Sequence, residues 1–123
     1  MKRLLIVDDA LIMRKLIRGV AETAGWQVVA EAGDGQEAVE CYRSLRPDLV
    51  TMDLVMPIMG GLEALKQIRA EDPQARVIIV TALDQKETLA ASINAGAMDF
   101  IVKPFQREQM LGMLTKLGST PNV

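Results

Sequence analysis

Five short apolar runs punctuate the chain at nearly regular intervals: RLLIV (3–7), WQVVA (26–30), DLVTM (48–52), RVIIVTA (76–82) and DFIV (99–102). None alternates apolar with polar as a half-exposed strand does, and all are too short for helices. Each therefore reads as a strand buried on both faces. Segments with apolar residues at helical spacing lie between them. The first, 10–25, turns Ile12, Met13, Leu16, Ile17, Val20 and Ala24 inward, leaves Arg14, Lys15, Arg18 and Glu22 mostly outside, and stops at Gly25. The second, 34–47, is capped by Asp34 with Glu37 three residues on, and Pro47 closes it. Residues 62–73 form a third helix with Leu62, Leu65 and Ile68 inward. The fourth, 84–96, places Asp84 and Glu87 in capping-box spacing and Gly96 past its end, and 105–118 form the fifth.

Strand and helix alternate five times, which predicts an α/β domain with a parallel sheet covered by helices on both faces. Right-handed crossovers leave few topologies for five such strands. The common one is the doubly wound, flavodoxin-like (βα)5 arrangement with strand order 2-1-3-4-5. A chain of 123 residues forms one domain with a core that needs neither metal nor disulfide. The domain is expected over 1–118, with 119–123 a disordered tail or linker stub.

Composition removes several kinds of chemistry. There is no histidine, so imidazole metal ligands, histidine bases and Ser–His or Cys–His pairs are all excluded. The single cysteine, Cys41, forbids an internal disulfide and fits a cytoplasmic location. Net charge is −2, and no basic run is longer than Lys2-Arg3 or Arg14-Lys15, which argues against direct nucleic-acid binding. No apolar stretch approaches the ~20 residues of a membrane span, so membrane insertion is not expected.

What remains is gathered at the ends of the predicted strands. Asp8 and Asp9 follow the first, Asp53 the third, Thr81 closes the fourth and Lys103 follows the fifth. Ligands of open α/β sheets bind outside the carboxyl ends of the strands, where strands 1 and 3 are neighbours in this order. Adjacent strands lie ~4.8 Å apart, so the three acids share one pocket with Thr81 and Lys103 along its rim. Three carboxylates so close repel one another, and a hard divalent cation such as Mg²⁺ relieves this through oxygen ligands. Lys103 offers a compact positive charge to a phosphate, and Thr81 a hydroxyl donor. Asp53 can attack phosphorus to give an aspartyl phosphate. Positioning and charge neutralisation are what phosphoryl transfer chiefly needs.

The motifs LIVDD (5–9), VTMDLVMPIMGG (50–61), VTA (80–82) and AGAMDFIVKPF (95–105) together resemble the receiver domains of two-component response regulators, over residues 3–117. The stand-alone chemotaxis type is the nearest in kind. The resemblance implies that Asp53 is the phosphoacceptor and that Asp8, Asp9, Asp53 and the backbone carbonyl of Val55 hold Mg²⁺. It also implies that Thr81 engages the phosphoryl group, that Lys103 pairs with it, and that Thr81 and Phe100 form the switch. A histidine kinase would be the donor, with acetyl phosphate as a small substitute. The chain would then be a self-catalysed phosphoacceptor with autodephosphorylation rather than a turnover enzyme. Its helix 4–strand 5–helix 5 face would meet a target such as the flagellar motor switch, and a phosphatase is a further possible partner. Val55 and Leu83, both apolar beside the site, imply a comparatively long-lived acyl phosphate. In this family the bond preceding Pro104 is often cis.

Two other readings stay open at this point: a receiver domain excised from a larger regulator with a DNA-binding or enzymatic output, and a docking module that never handles phosphate. Asp34 and Asp84 read as helix caps, Trp26 as structural and Cys41 as filling space.

Overall fold

The structure, a computed structural model, describes residues 2–119. The elements alternate as expected: β1 (Arg3–Val7), α1 (Leu11–Thr23), β2 (Gln27–Ala32), α2 (Gly35–Leu45), β3 (Leu49–Met52), α3 (Gly61–Glu71), β4 (Val77–Thr81), α4 (Lys86–Asn94), β5 (Asp99–Val102) and α5 (Arg107–Ser119). The five strands form one parallel sheet in the order β2-β1-β3-β4-β5. Residues 120–123 of the expected tail lie outside the described residues, and Ser119 belongs to α5.

Alternation along the strands splits the core into two layers. Leu5, Val7, Val50, Met52, Val77 and Ile79 meet α2 and α3 on one face of the sheet. Leu4, Ile6, Leu49, Ile78, Val80 and Ile101 meet α1 and α5 on the other. The central strands β1, β3 and β4 are almost wholly buried, which is why their sequences read as unbroken apolar runs. Trp26 is also buried, and its indole N–H donates to the carbonyl of Leu114 in α5 at 2.8 Å. Cys41 is half-buried against the α2–α3 layer.

Asp34 caps α2 as read, its carboxylate accepting from the Glu37 N–H at 2.8 Å, while Glu37 reaches back to the Gly33 N–H. Gly25 and Gly96 follow α1 and α4 with φ of +89° and +111°.

Two expectations fail. Asp84 does not cap α4: the N-cap is Gln85, with no side-chain cap bond. The loop from Thr81 sets the start, since the Leu83 N–H is taken by the Thr81 hydroxyl and the first helical turn forms only afterwards. On α1, Ile12 and Leu16 are not inward but 83% and 46% exposed. The buried stripe runs through Met13, Ile17, Val20, Ala21 and Ala24, and residues 12 and 16 lie about 100° to one side of it.

Candidate functional site

The sheet register brings the predicted residues together. Val7 of β1 pairs with Met52 of β3, so Asp8 and Asp53 leave adjacent strands at the same level. The Asp53 N–H donates to the Val7 carbonyl at 3.0 Å, and the Asp8 N–H to the Ala32 carbonyl of β2 at 3.0 Å. Both acids therefore stand on backbone held within the sheet. Asp8 is 1% exposed and Asp53 6%, whereas Asp9, one residue further out, is exposed.

Carboxylate oxygens of Asp8, Asp9 and Asp53 lie within 4.8 Å of one another. Lys103 Nζ stands between the two buried ones, 2.6 Å from Asp8 Oδ2 and 3.1 Å from Asp53 Oδ2. The remaining oxygens point at backbone donors. Asp8 Oδ1 accepts from the Ala10 N–H at 2.9 Å, and Asp53 Oδ1 from the N–H groups of Leu54 at 2.7 Å and Val55 at 3.4 Å. Burial pulls the Lys103 ammonium toward its neutral form, but the hydrogen bond to Asp8 and the charges of Asp53 and Asp8 outweigh it. Its pKa is raised above the ordinary 10.5.

One ammonium cannot balance three carboxylates, and two negative charges remain. An all-oxygen donor set with that residual charge fits a hard divalent ion such as Mg²⁺ better than any soft metal. The chemistry of the residues thus agrees with the expected ion.

Thr81 ends β4, fully buried, with its hydroxyl accepting from the Leu83 N–H at 3.2 Å. Its carbonyl accepts from the Lys103 N–H at 2.7 Å, which ties the lysine's strand to the threonine's. Phe100 of β5 pairs with Ile79 and packs, half-buried, against the α2–α3 layer, on the same sheet face as Thr81. Val55 lies in the loop just after β3 and is exposed. The Lys103–Pro104 peptide bond is cis.

Close backbone packing shapes the loop beyond Asp53. The Gly61 N–H donates to the Leu54 carbonyl at 3.0 Å, and a Cβ on Gly61 would collide with the Asp53 carbonyl oxygen. Gly35 at the start of α2 donates to the Met59 carbonyl at 2.8 Å, and a Cβ there would collide with that oxygen too. Ile58, exposed in this loop, has φ +69°, a strained conformation for a β-branched residue.

Sequence reasoning passed over one residue that touches the site. Arg14 of α1 donates through Nη1 to the backbone carbonyl of Asp8 at 2.7 Å. Its place off the apolar stripe marked it as solvated. The signal that could have found it is Glu31, an acid at the end of an edge strand with a partner across the α1–β2 gap.

Comparison with known proteins places the chain in one family. The family described as "Response regulator receiver domain" matches residues 4–115. "Chemotaxis protein CheY" of Thermotoga maritima is 47% identical over 117 residues, covering 95% of this chain and 98% of that protein. "Chemotaxis protein CheY" of Bacillus subtilis is 50% identical over 114 residues, covering 93% and 95%. Among solved structures, the CheX-CheY-BeF3-Mg+2 complex of Borrelia burgdorferi contains a chain that superimposes with a TM-score of 0.91 at 33% identity. That match covers 96% of this chain and 90% of that one.

Proposed function

This chain belongs to the response regulator receiver domain family, and on that footing we propose that it is a phosphorylation-activated signalling switch whose phosphoacceptor is Asp53. The observation that carries the reading is the Lys103 ammonium shared by two buried carboxylates, with a third acid beside them. Such a pocket neutralises charge on an incoming phosphoryl group and holds the attacking oxygen still.

A carboxylate oxygen of Asp53 attacks the phosphorus of a phosphohistidine on a kinase. The new P–O bond forms as the P–N bond breaks, and the nitrogen keeps the electron pair. Bound through Asp8, Asp9, Asp53 and the Val55 carbonyl, Mg²⁺ would neutralise phosphoryl oxygens. The chain's own groups do the rest. The Leu54 and Val55 N–H groups orient the Asp53 carboxylate, and Lys103 places positive charge at the phosphoryl oxygens. The Thr81 hydroxyl leaves the Leu83 N–H to donate to the phosphoryl group. Phe100 turns inward in the space this frees, and the α4–β5–α5 face repacks. This is a population shift driven by contacts that exist only in the phosphorylated state.

The output is binding of a protein target in chemotaxis, a role supported by relatives named as chemotaxis proteins, and the target we propose is the flagellar motor switch. The neighbour solved in complex with CheX supports a further protein partner. Leu11, Ile12 and Leu16, exposed on the helix that begins beside the acid pair, give a donor kinase an apolar face to meet. Among the described residues no helix is long and apolar enough to cross a membrane.

Incubation with acetyl phosphate and Mg²⁺ should add one phosphoryl group by intact mass. None should appear in Asp53→Asn or after chelation. An unchanged yield in Asp53→Asn would overturn the assignment.

A further inference from the structure

Asp8 is held by more than the sheet. Its N–H is bonded by β2 through the Ala32 carbonyl, but its own carbonyl lies past the last strand pair, Val7 with Ala32, and takes a side-chain donor instead. That donor is Arg14 Nη1, at 2.7 Å. The same guanidinium donates through Nε to Glu31 Oε1 at 2.9 Å, and Arg14 and Glu31 side chains are only 19% and 21% exposed. Glu31 neighbours Ala32 in β2, so the edge strand holds both sides of Asp8: the N–H directly, the carbonyl through Arg14.

Arg18 gives an internal comparison. It bonds the other oxygen of Glu31, Oε2, at 2.8 Å and also pairs with Glu22, but makes no bond to Asp8. Burial pushes the Glu31 carboxyl up, and hydrogen bonds from Arg18 and Arg14 reverse this, so its pKa is lowered and it stays charged. A planar guanidinium can grip a carboxylate and a carbonyl in two fixed directions at once, which a lysine ammonium on a flexible stem does not reproduce.

The peptide unit that Arg14 grips joins Asp8 to Asp9. Asp9 is exposed and lies one residue further from the sheet than Asp8 and Asp53, which directly follow β1 and β3 and whose N–H groups bond strand carbonyls. Its direction is therefore set by the tilt of this one peptide. We propose that Arg14 is a positioning residue for the acid pocket: by tying the Asp8 carbonyl to Glu31, it aims Asp9 at Asp8 and Asp53 so that the three carboxylates converge on a divalent cation. This rests on the reading that the pocket holds Mg²⁺.

Titration calorimetry with Mg²⁺ alone, on the full chain, tests it. Groups that orient metal ligands typically contribute about 10–100-fold in metal affinity. Arg14→Met should weaken Mg²⁺ by about 10-fold, Arg14→Lys nearly as much, and Glu31→Gln by a smaller factor. Arg18→Met should stay within about 2-fold of the parent, because it loses an ion pair to the same Glu31 without releasing Asp8. Melting temperatures of Arg14→Met and Arg18→Met should fall alike, so a difference in affinity isolates positioning from stability. Should Arg14→Met fail to fold, Arg14→Lys and Glu31→Gln decide. Affinity unchanged in the Arg14 variants, or lost equally in Arg18→Met, overturns the proposal. If the unmodified chain binds no Mg²⁺, it is the reading of the pocket that fails.

Discussion

Helices α2 and α4 flank α3 on the same face of the sheet, yet they are held very differently. α2 begins on a side-chain cap and buries Gly35, Ala38, Val39 and Tyr42. Tyr42 donates to Asp72 at 2.7 Å and Arg43 pairs with Glu71, so its C-terminal part is tied to the end of α3. α4 has no side-chain cap, and its only fully buried residue is Ser92, whose hydroxyl donates to its own helix at Thr88. The two sides of the pocket divide along this line. The Asp53 loop rests on α2 through Gly35 and Met59, while Thr81 leads within a few residues into α4. A switch needs a fixed group to receive the signal and a weakly held element to respond, and low local stability supplies the second.

The largest test of this contrast removes an anchor. Tyr42→Ala should cost about 3–5 kcal/mol in urea denaturation, in the range of large aromatic truncations. Ser92→Ala, at the most buried position of α4, should shift stability by less than about 0.5 kcal/mol, since alanine suits a helix better than serine. Equal losses would remove the distinction.

Tyr42→Phe should cost about 1.5 kcal/mol at neutral pH, the scale of a hydrogen bond to a charged acceptor. The Tyr42 hydroxyl is the largest influence on Asp72 and holds its carboxyl below the ordinary 3.8, against burial, which pushes it up. A depressed carboxyl contributes stability above its unfolded value and loses it as pH falls through its folded value. The deficit of Tyr42→Phe should therefore narrow below pH 3.8. On the alkaline side, burial and then the bond to Asp72 push the Tyr42 hydroxyl above its ordinary 10.0, so its contribution fades as pH rises past that value. A deficit constant across pH would show that the bond is not formed in solution.

Giving α4 the cap that it lacks sharpens the contrast from the other side. Gln85 has the extended backbone of a capping residue, at φ −67° and ψ 135°. Gln85→Asp should add about 1 kcal/mol and slow amide exchange within α4. Faster or unchanged exchange would mean that the missing cap does not limit this helix. A similarly modest effect is expected at Gly112 of α5, where an added Cβ meets nothing within 4 Å. Gly112→Ala should stabilise by roughly 0.5–1 kcal/mol through helix propensity alone.

Strand order and pocket were legible because both rest on short-range patterns: β1, β3 and β4 are apolar runs that Asp8, Asp53 and Thr81 end or directly follow, and Lys103 directly follows β5. The Asp34–Glu37 cap was legible for the same reason, as all its atoms lie within one turn. What did not show was decided between elements. The apolar residues of α1 form two overlapping stripes, and only the packing against α5 and the sheet selects Met13, Ile17 and Val20 over Ile12 and Leu16. Arg14 looked solvated because its partners come from elsewhere in the chain, Asp8 from the residue after β1 and Glu31 from β2. Asp84 had the right spacing to Glu87 but the wrong place in the path of the chain, since the turn at Thr81 delays the helix.

The bond from the Trp26 indole to the Leu114 carbonyl gives the chain an optical gauge of its own. Trp26 is the only tryptophan, it is buried, and its one polar side-chain atom is satisfied by Leu114 in α5. Its emission should be blue and should redden if α5 slides or rotates enough to let water reach the ring. Movement at one end of the responding face could thus be followed in real time, at micromolar protein, with no label attached.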